Sequence, residues 1–163
     1  MMLGMPSSVA PILCVLYEDN HCIVVVKPAG VRTQAILAGD DNLLDRVRHY
    51  LKEKYKKPGN VFVGLVHRLD RQVSGIVIFA KTSKGAARLS GQFREHTARK
   101  TYHAIVIGAP RKKLDTLVHN ILKDEHAKKA NVFDEPAIGR QRAELEYEVI
   151  KSVGNNALLR IEL

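Results

Sequence analysis

Two short apolar runs, residues 61–66 and 75–80, are separated by His67-Arg68-Leu69-Asp70-Arg71-Gln72-Val73-Ser74. The runs have the length and composition of buried strands, whereas the charged insert between them is poor core material. The insert is therefore the first place to look for chemistry. In a strand-like stretch side chains alternate with period 2, so Arg68 and Asp70 would share a face. An arginine beside an aspartate favours the ionised carboxylate and can hold its rotamer. An ionised carboxylate can act as a nucleophile or stabilise positive charge at a sugar carbon. The plainer alternative is a loop salt bridge between Asp70 and Arg68 or Arg71.

The elements around the insert read as follows. Residues 12–17 and 22–26 form a β-hairpin through the turn Glu18-Asp19-Asn20, and Lys27-Pro28-Ala29-Gly30 breaks the pattern as a loop. Residues 42–55 have helical spacing, with Leu43, Leu44, Val47, Tyr50 and Leu51 on one face; Asp40, Asp41 and Asn42 are candidate caps. Pro58-Gly59-Asn60 ends that element. Ser83 is expected to cap a helix running to about His96, with Ala86, Leu89 and Phe93 inward and Lys84, Arg88 and Arg94 mostly outward. A strand over 101–107 closes at Gly108, and 114–122, 129–133, 143–150 and 157–163 read as shorter or edge strands. Hairpins dominate and the helices do not alternate regularly with strands. The fold class is α+β, a mixed, mostly antiparallel sheet flanked by helices, rather than a parallel doubly wound sheet.

Charge narrows the partner. The formal net charge is +9 and the pI near 9.7. Residues 81–113 hold nine Lys and Arg against one acid, Glu95. Such a stretch suits phosphates, and nucleic acid ranks ahead of membrane because no basic amphipathic helix ends in an aromatic anchor. A merely soluble basic protein is the alternative on charge alone. No apolar run approaches the ~20 residues of a membrane span. Residues 1–13 lack the basic start of a secretory signal, since they hold no Lys or Arg and are broken by Pro6 and Pro11; residues 1–11 are expected to be a frayed tail. Cys14 and Cys22 are too few for a disulfide framework or a zinc site, and reduced, packed thiols fit a reducing cytoplasm. The seven histidines are scattered and offer no metal-binding pair on a helix.

The wording of the insert and its flanks is more specific. HRLDRQVSGIVIFAKT resembles the signature of the RluA-type (large-subunit type) RNA pseudouridine synthases: HRLD, a spacer, SG, an apolar strand, then AK. Upstream, YEDNHCIVVVKPAG resembles that family's opening hairpin and Lys-Pro-x-Gly loop. Downstream, RLSGQFREHTARKTYHAIVIG resembles its helix and next strand, with Lys100 and Tyr102 in the Lys-x-Tyr motif. The resemblance runs from about Leu16 to Leu163.

The resemblance implies isomerisation of specific uridines, in ribosomal or transfer RNA, to pseudouridine without cofactor or metal. It makes Asp70 the catalytic residue, either by attack at C1′ or by proton abstraction from the sugar. Substrate contacts would come from Arg68, which holds the flipped nucleotide's place, from Tyr102, which stacks on the uracil, and from His67 and Leu69. Lys84, Arg88, Arg94 and Lys100 would meet the RNA backbone. Lys27, Pro28 and Gly30 would form a structured loop near the floor of the site, without a catalytic role. The complete enzyme is expected to be a cytoplasmic monomer.

The sequence departs from the family pattern in two places. Val73 stands where a Thr is more usual, and the family's Gly-Arg-x-His-Gln-x-Arg motif would follow Leu163. Residues 12–163 are thus expected to be a catalytic domain incomplete at its C-terminal end, with no S4-like domain ahead of Leu16. The rival expectation is a non-catalytic RNA-binding remnant of such an enzyme.

Overall fold

A computed structural model describes residues 13–37, 39–124, 127 and 129–163; the expected tail over 1–11 and residue 12 lie outside them. The chain divides into two compact units, Met1–Thr97 and Ala98–Leu163.

In the first unit, β1 (Val15–Glu18), β2 (Cys22–Lys27), β3 (Gly64–Leu65) and β4 (Gly75–Ala80) form one antiparallel sheet in the order β1-β2-β4-β3. Alternation along β2 sends Ile23, Val25 and Lys27 to the buried face, opposite Phe79, Val77 and Gly75 of β4. Against these lie Leu43, Val47 and Leu51 of α1 (Leu43–Lys54), spaced as successive turns of one helix face. Each fully buried aliphatic or aromatic side chain contributes about 1.5–3 kcal/mol, so this small core is the main stabilising element of the unit. Asn42 caps α1 by accepting from the Asp45 N–H at 3.0 Å.

The second helix, α2 (Ser83–Arg94), is capped by Thr82, one residue before the expected Ser83. Thr82 is extended (φ −138°, ψ 153°), and its hydroxyl accepts from the Gly85 N–H at 3.0 Å. The helix ends at Arg94, short of the expected His96, whose φ of 55° is left-handed. Lys84, Arg88 and Arg94 are exposed, while Ala86, Leu89 and Phe93 are half-buried.

The strand expected over 61–66 is laddered only at Gly64 and Leu65, which pair with Ala80 and Phe79. Phe62 is exposed, so the apolar composition here was not a measure of pairing. A Cβ on Gly64 would lie 2.9 Å from the Ala86 Cβ, and the missing side chain lets β3 approach α2.

The second unit is a five-stranded antiparallel sheet in the order β5-β9-β8-β6-β7. Its strands are β5 (Thr101–Ile107), β6 (Leu114–Asp124), β7 (Lys129–Phe133), β8 (Gln141–Val153) and β9 (Asn156–Glu162). Several expectations of short or edge strands are corrected here. β6 and β8 have 11 and 13 residues, and β6, β8 and β9 are all interior to the sheet. The charges of β8 occupy one face: Glu144, Glu146 and Glu148 alternate with Leu145, Tyr147 and Val149. On the charged face Arg160 of β9 bridges to Glu148 at 2.9 Å. On the other, Tyr147, Ala157 and Leu159 are the buried residues.

The α+β class is as expected. In place of a single mixed sheet there are two, each antiparallel, with one isolated parallel bridge between Arg32 and Asn42 among the described residues. Parallel ladders need long crossovers, and β5 to β9 are joined by turns and short loops that return the chain antiparallel.

Candidate active site

The segment 66–74 leaves β3 and turns back into β4, and it lies against the loop that leaves β2. The two loops are fastened residue by residue. Thr33 is buried; its hydroxyl donates to the Leu69 carbonyl at 2.8 Å and accepts from the Leu69 N–H at 3.2 Å. The Gly30 N–H donates to the Arg71 carbonyl at 2.8 Å, and Arg71 Nε returns a bond to the Gly30 carbonyl at 2.9 Å. The His67 ring accepts from the Ile78 N–H at 3.0 Å through Nε2 and stacks on Phe93, centroids 4.5 Å apart. The Val73 N–H closes a turn onto the Asp70 carbonyl at 3.1 Å.

Residues 67, 69 and 71 are therefore anchored to the protein, and the side chains of Arg68 and Asp70 are exposed. Exposure alternates from His67 to Asp70, and the alternation stops at Arg71, which is also exposed; the segment is not a ladder strand. The expected pairing does not hold. Among the described residues Asp70 has no ion pair with Arg68 or Arg71, and Arg71 is committed to Gly30.

A buried lysine, Lys27, feels the charge of Asp70. It is fully buried, because its position on β2 has the inward parity of Ile23 and Val25, and because Gly75 opposite has no side chain. Its ammonium donates to the carbonyls of Val31 (2.7 Å), Pro28 (3.1 Å) and Arg71 (3.2 Å), spanning both loops. Burial pushes the Lys27 ammonium below the ordinary lysine value, and the negative charge of Asp70 opposes that shift. Sequence reasoning gave Lys27 a place near the floor of the site and did not single out Thr33. The alternation in CIVVVK, which sends Lys27 inward with Ile23 and Val25, was the available signal.

A concavity of about 310 Å³ lined by Gly30, Val31, Arg32, Asp40, Asp41 and Arg71 opens beside the paired loops. Lys84, Arg88 and Arg94 belong to the same unit, on the exposed side of α2. Tyr102 and Lys100 belong to the second unit and are half-buried; Tyr102 is in register with Ile161, which is in turn in register with Tyr147. Among the described residues no group of His, Cys, Asp and Glu could hold a metal, and no helix is long and apolar enough to cross a membrane. Cys14 and Cys22 are free thiols.

A loop held by these hydrogen bonds that presents an exposed carboxylate can stabilise positive charge at a carbon or attack it. Two solved structures share the fold. Human RNA pseudouridylate synthase domain containing 4 superposes with a TM-score of 0.75 at 21% identity, over 91% of this chain and 58% of that one. Human RNA pseudouridylate synthase domain containing 1 gives 0.68 at 20%, over 98% and 62%. The fold is that of an RNA pseudouridylate synthase domain.

Sequence comparison is more specific. The RNA pseudouridylate synthase family model matches residues 21–163. The ribosomal large subunit pseudouridine synthase C of Rickettsia prowazekii (strain Madrid E) is 35% identical over 147 residues, 88% of this chain and 45% of that protein. The uncharacterized RNA pseudouridine synthase YhcT of Bacillus subtilis (strain 168) is 33% identical over 153 residues, 93% of this chain and 48% of that protein. The chain belongs to the RNA pseudouridylate synthase family, and it spans about half the length of these relatives.

Proposed function

We propose that this chain carries the catalytic loop of an enzyme that isomerises uridine in RNA to pseudouridine, with Asp70 as the catalytic carboxylate. The observation that carries the reading is the clamped HRLD loop, whose anchored residues 67, 69 and 71 leave Asp70 and Arg68 presented to solvent. The reaction breaks the N1–C1′ bond, turns the uracil over and joins C5 to C1′; C5 loses its proton and N1 gains one. Bond cleavage builds positive charge at C1′, which a fixed carboxylate stabilises or traps.

A stacked base cannot reach such a carboxylate, so the target nucleotide is flipped out. Arg68, exposed beside Asp70, holds the vacated place, and the Tyr102 ring stacks on the uracil. Lys84, Arg88, Arg94 and Lys100 meet phosphates. The substrate is RNA, with ribosomal RNA favoured by the names of the relatives. The complete enzyme is a cytoplasmic monomer.

The test is release of tritium from RNA labelled at uridine C5. Asp70→Asn in the full-length protein should abolish release and leave RNA affinity nearly unchanged, because the carboxylate acts on the reacting carbon and affinity comes from phosphate interactions. Substantial turnover by the Asn variant would overturn the assignment. RNA binding without turnover by the unaltered protein would favour the non-catalytic RNA-binding reading.

A further inference from the structure

The strand that leads to the catalytic loop stops short. β3 pairs with β4 at Gly64–Ala80 and Leu65–Phe79, and there the backbone ladder ends. Beyond it β4 offers the Ile78 N–H. It is satisfied at 3.0 Å by Nε2 of His67. An N–H left without a partner inside a fold is costly, so this side chain substitutes for the missing strand.

An imidazole nitrogen that accepts a hydrogen bond carries no proton, and in the neutral ring the proton then sits on Nδ1. The same ring stacks on Phe93 of α2, at 4.5 Å between centroids and 24° between planes. One side chain thus fixes the entry of the loop to both the sheet and the helix, three residues ahead of Asp70.

We infer that His67 is a positioning residue for Asp70, acting through its neutral imidazole as an acceptor for the edge of β4 rather than through substrate. The inference rests on the reading of Asp70 as the catalytic carboxylate. The anchors that follow it, Leu69 on Thr33 and Arg71 on Gly30, hold the loop against the β2 side. Of the three, His67 is the one that hydrogen-bonds the loop to β4. Without that acceptor the entry of the loop loses its hydrogen bond to β4, and the Asp70 carboxylate is held less firmly.

Two variants separate the contributions of the ring. His67→Phe keeps a ring against Phe93 and removes the acceptor. His67→Gln supplies an amide oxygen at similar reach. The first measurement is nuclear magnetic resonance of this chain, reading the imidazole nitrogens of His67 and the amide exchange of Ile78, Leu69, Asp70 and Arg71. The second is single-turnover pseudouridine formation at saturating RNA, with the RNA dissociation constant measured alongside, in the full-length protein.

The wild-type ring should show an unprotonated Nε2. His67→Phe should speed exchange at Ile78, shift the amides of Asp70 and Arg71, and slow the single-turnover rate about 100-fold, as an ångström of misplacement does, with RNA affinity unchanged. His67→Gln should restore both protection and rate. A proton on Nε2, or a Phe variant with wild-type protection and wild-type rate, would overturn the inference. A fall in RNA affinity matching the fall in rate would also overturn it, because His67 would then touch substrate. If Asp70→Asn turns over normally, the reading of Asp70 fails, and the resonance measurements still decide whether His67 sets the loop.

Discussion

The fully buried ammonium of Lys27 donates to the carbonyl of Arg71 at 3.2 Å, one residue beyond Asp70. It is the strut between the two loops, and its own ionisation responds to the charge of Asp70. Desolvating an ammonium in that position is strongly unfavourable. Three carbonyl partners and the field of Asp70 offset the cost.

Replacing Lys27 with Met keeps the length of the side chain and removes its donors. The three carbonyl bonds are part-buried; a carbonyl left unsatisfied costs up to about 1–3 kcal/mol, and relief of the desolvated charge returns part of this. We expect Lys27→Met to lose about 2 kcal/mol of stability in urea denaturation, with a lower rate of pseudouridine formation in the full-length protein. A variant as stable as wild type with full activity would remove both roles.

Glu18 is the hub of a second cluster in the same unit. Its carboxylate takes bonds from Lys54 (2.7 Å), Lys81 (2.6 Å) and Tyr55 (2.6 Å), and its side chain is 7% exposed. Burial alone would raise its pKa; these partners outweigh burial and bring it from 4.5 down to about 2. A carboxyl depressed on folding stabilises the native state above its unfolded pKa, and that contribution is lost as pH falls through the folded one. The contribution should be intact above pH 4.5 and be lost between there and about pH 2. Glu18→Gln should cost about 2–3 kcal/mol at neutral pH, and the gap to wild type should close by pH 2 in denaturant titrations.

Two glycines give opposite expectations. Gly64→Ala drives a methyl to 2.9 Å from the Ala86 Cβ and should cost about 1–3 kcal/mol through overpacking. Gly91, within α2, would bring its new Cβ no nearer than 3.9 Å to the Glu95 carboxylate, so Gly91→Ala should gain about 0.5–1 kcal/mol from helix propensity. Thermal melts of the two single variants check both signs.

The exposed basic side of α2 should appear in the salt dependence of RNA binding. Changing Lys84, Arg88 and Arg94 together to Glu should weaken binding. It should also flatten the log–log salt slope by about 0.7 for each phosphate no longer neutralised on single-stranded RNA. An unchanged slope in filter binding would place the RNA footprint elsewhere.

The sequence by itself determined what is local. The spacing of Leu43, Val47 and Leu51 specified α1, and Asn42 capped it where expected, because helix periodicity and capping act within a few residues. The HRLD wording pointed to Asp70 and to the family, since a motif is legible without knowing what packs against it. Tertiary structure decided the partnerships across the chain. Arg68 lies two residues from Asp70 yet forms no ion pair with it among the described residues, whereas Lys27, far away in sequence, donates to the carbonyl of Arg71, the residue after Asp70. Thr33 meets Leu69 only because two loops are juxtaposed, and β6 and β8 became interior strands because of pairings their own composition does not encode. Alternation assigns a residue to a face of its own strand; which strand lies alongside, and so which charge or hydroxyl lies within reach, depends on the energy of packing the whole sheet.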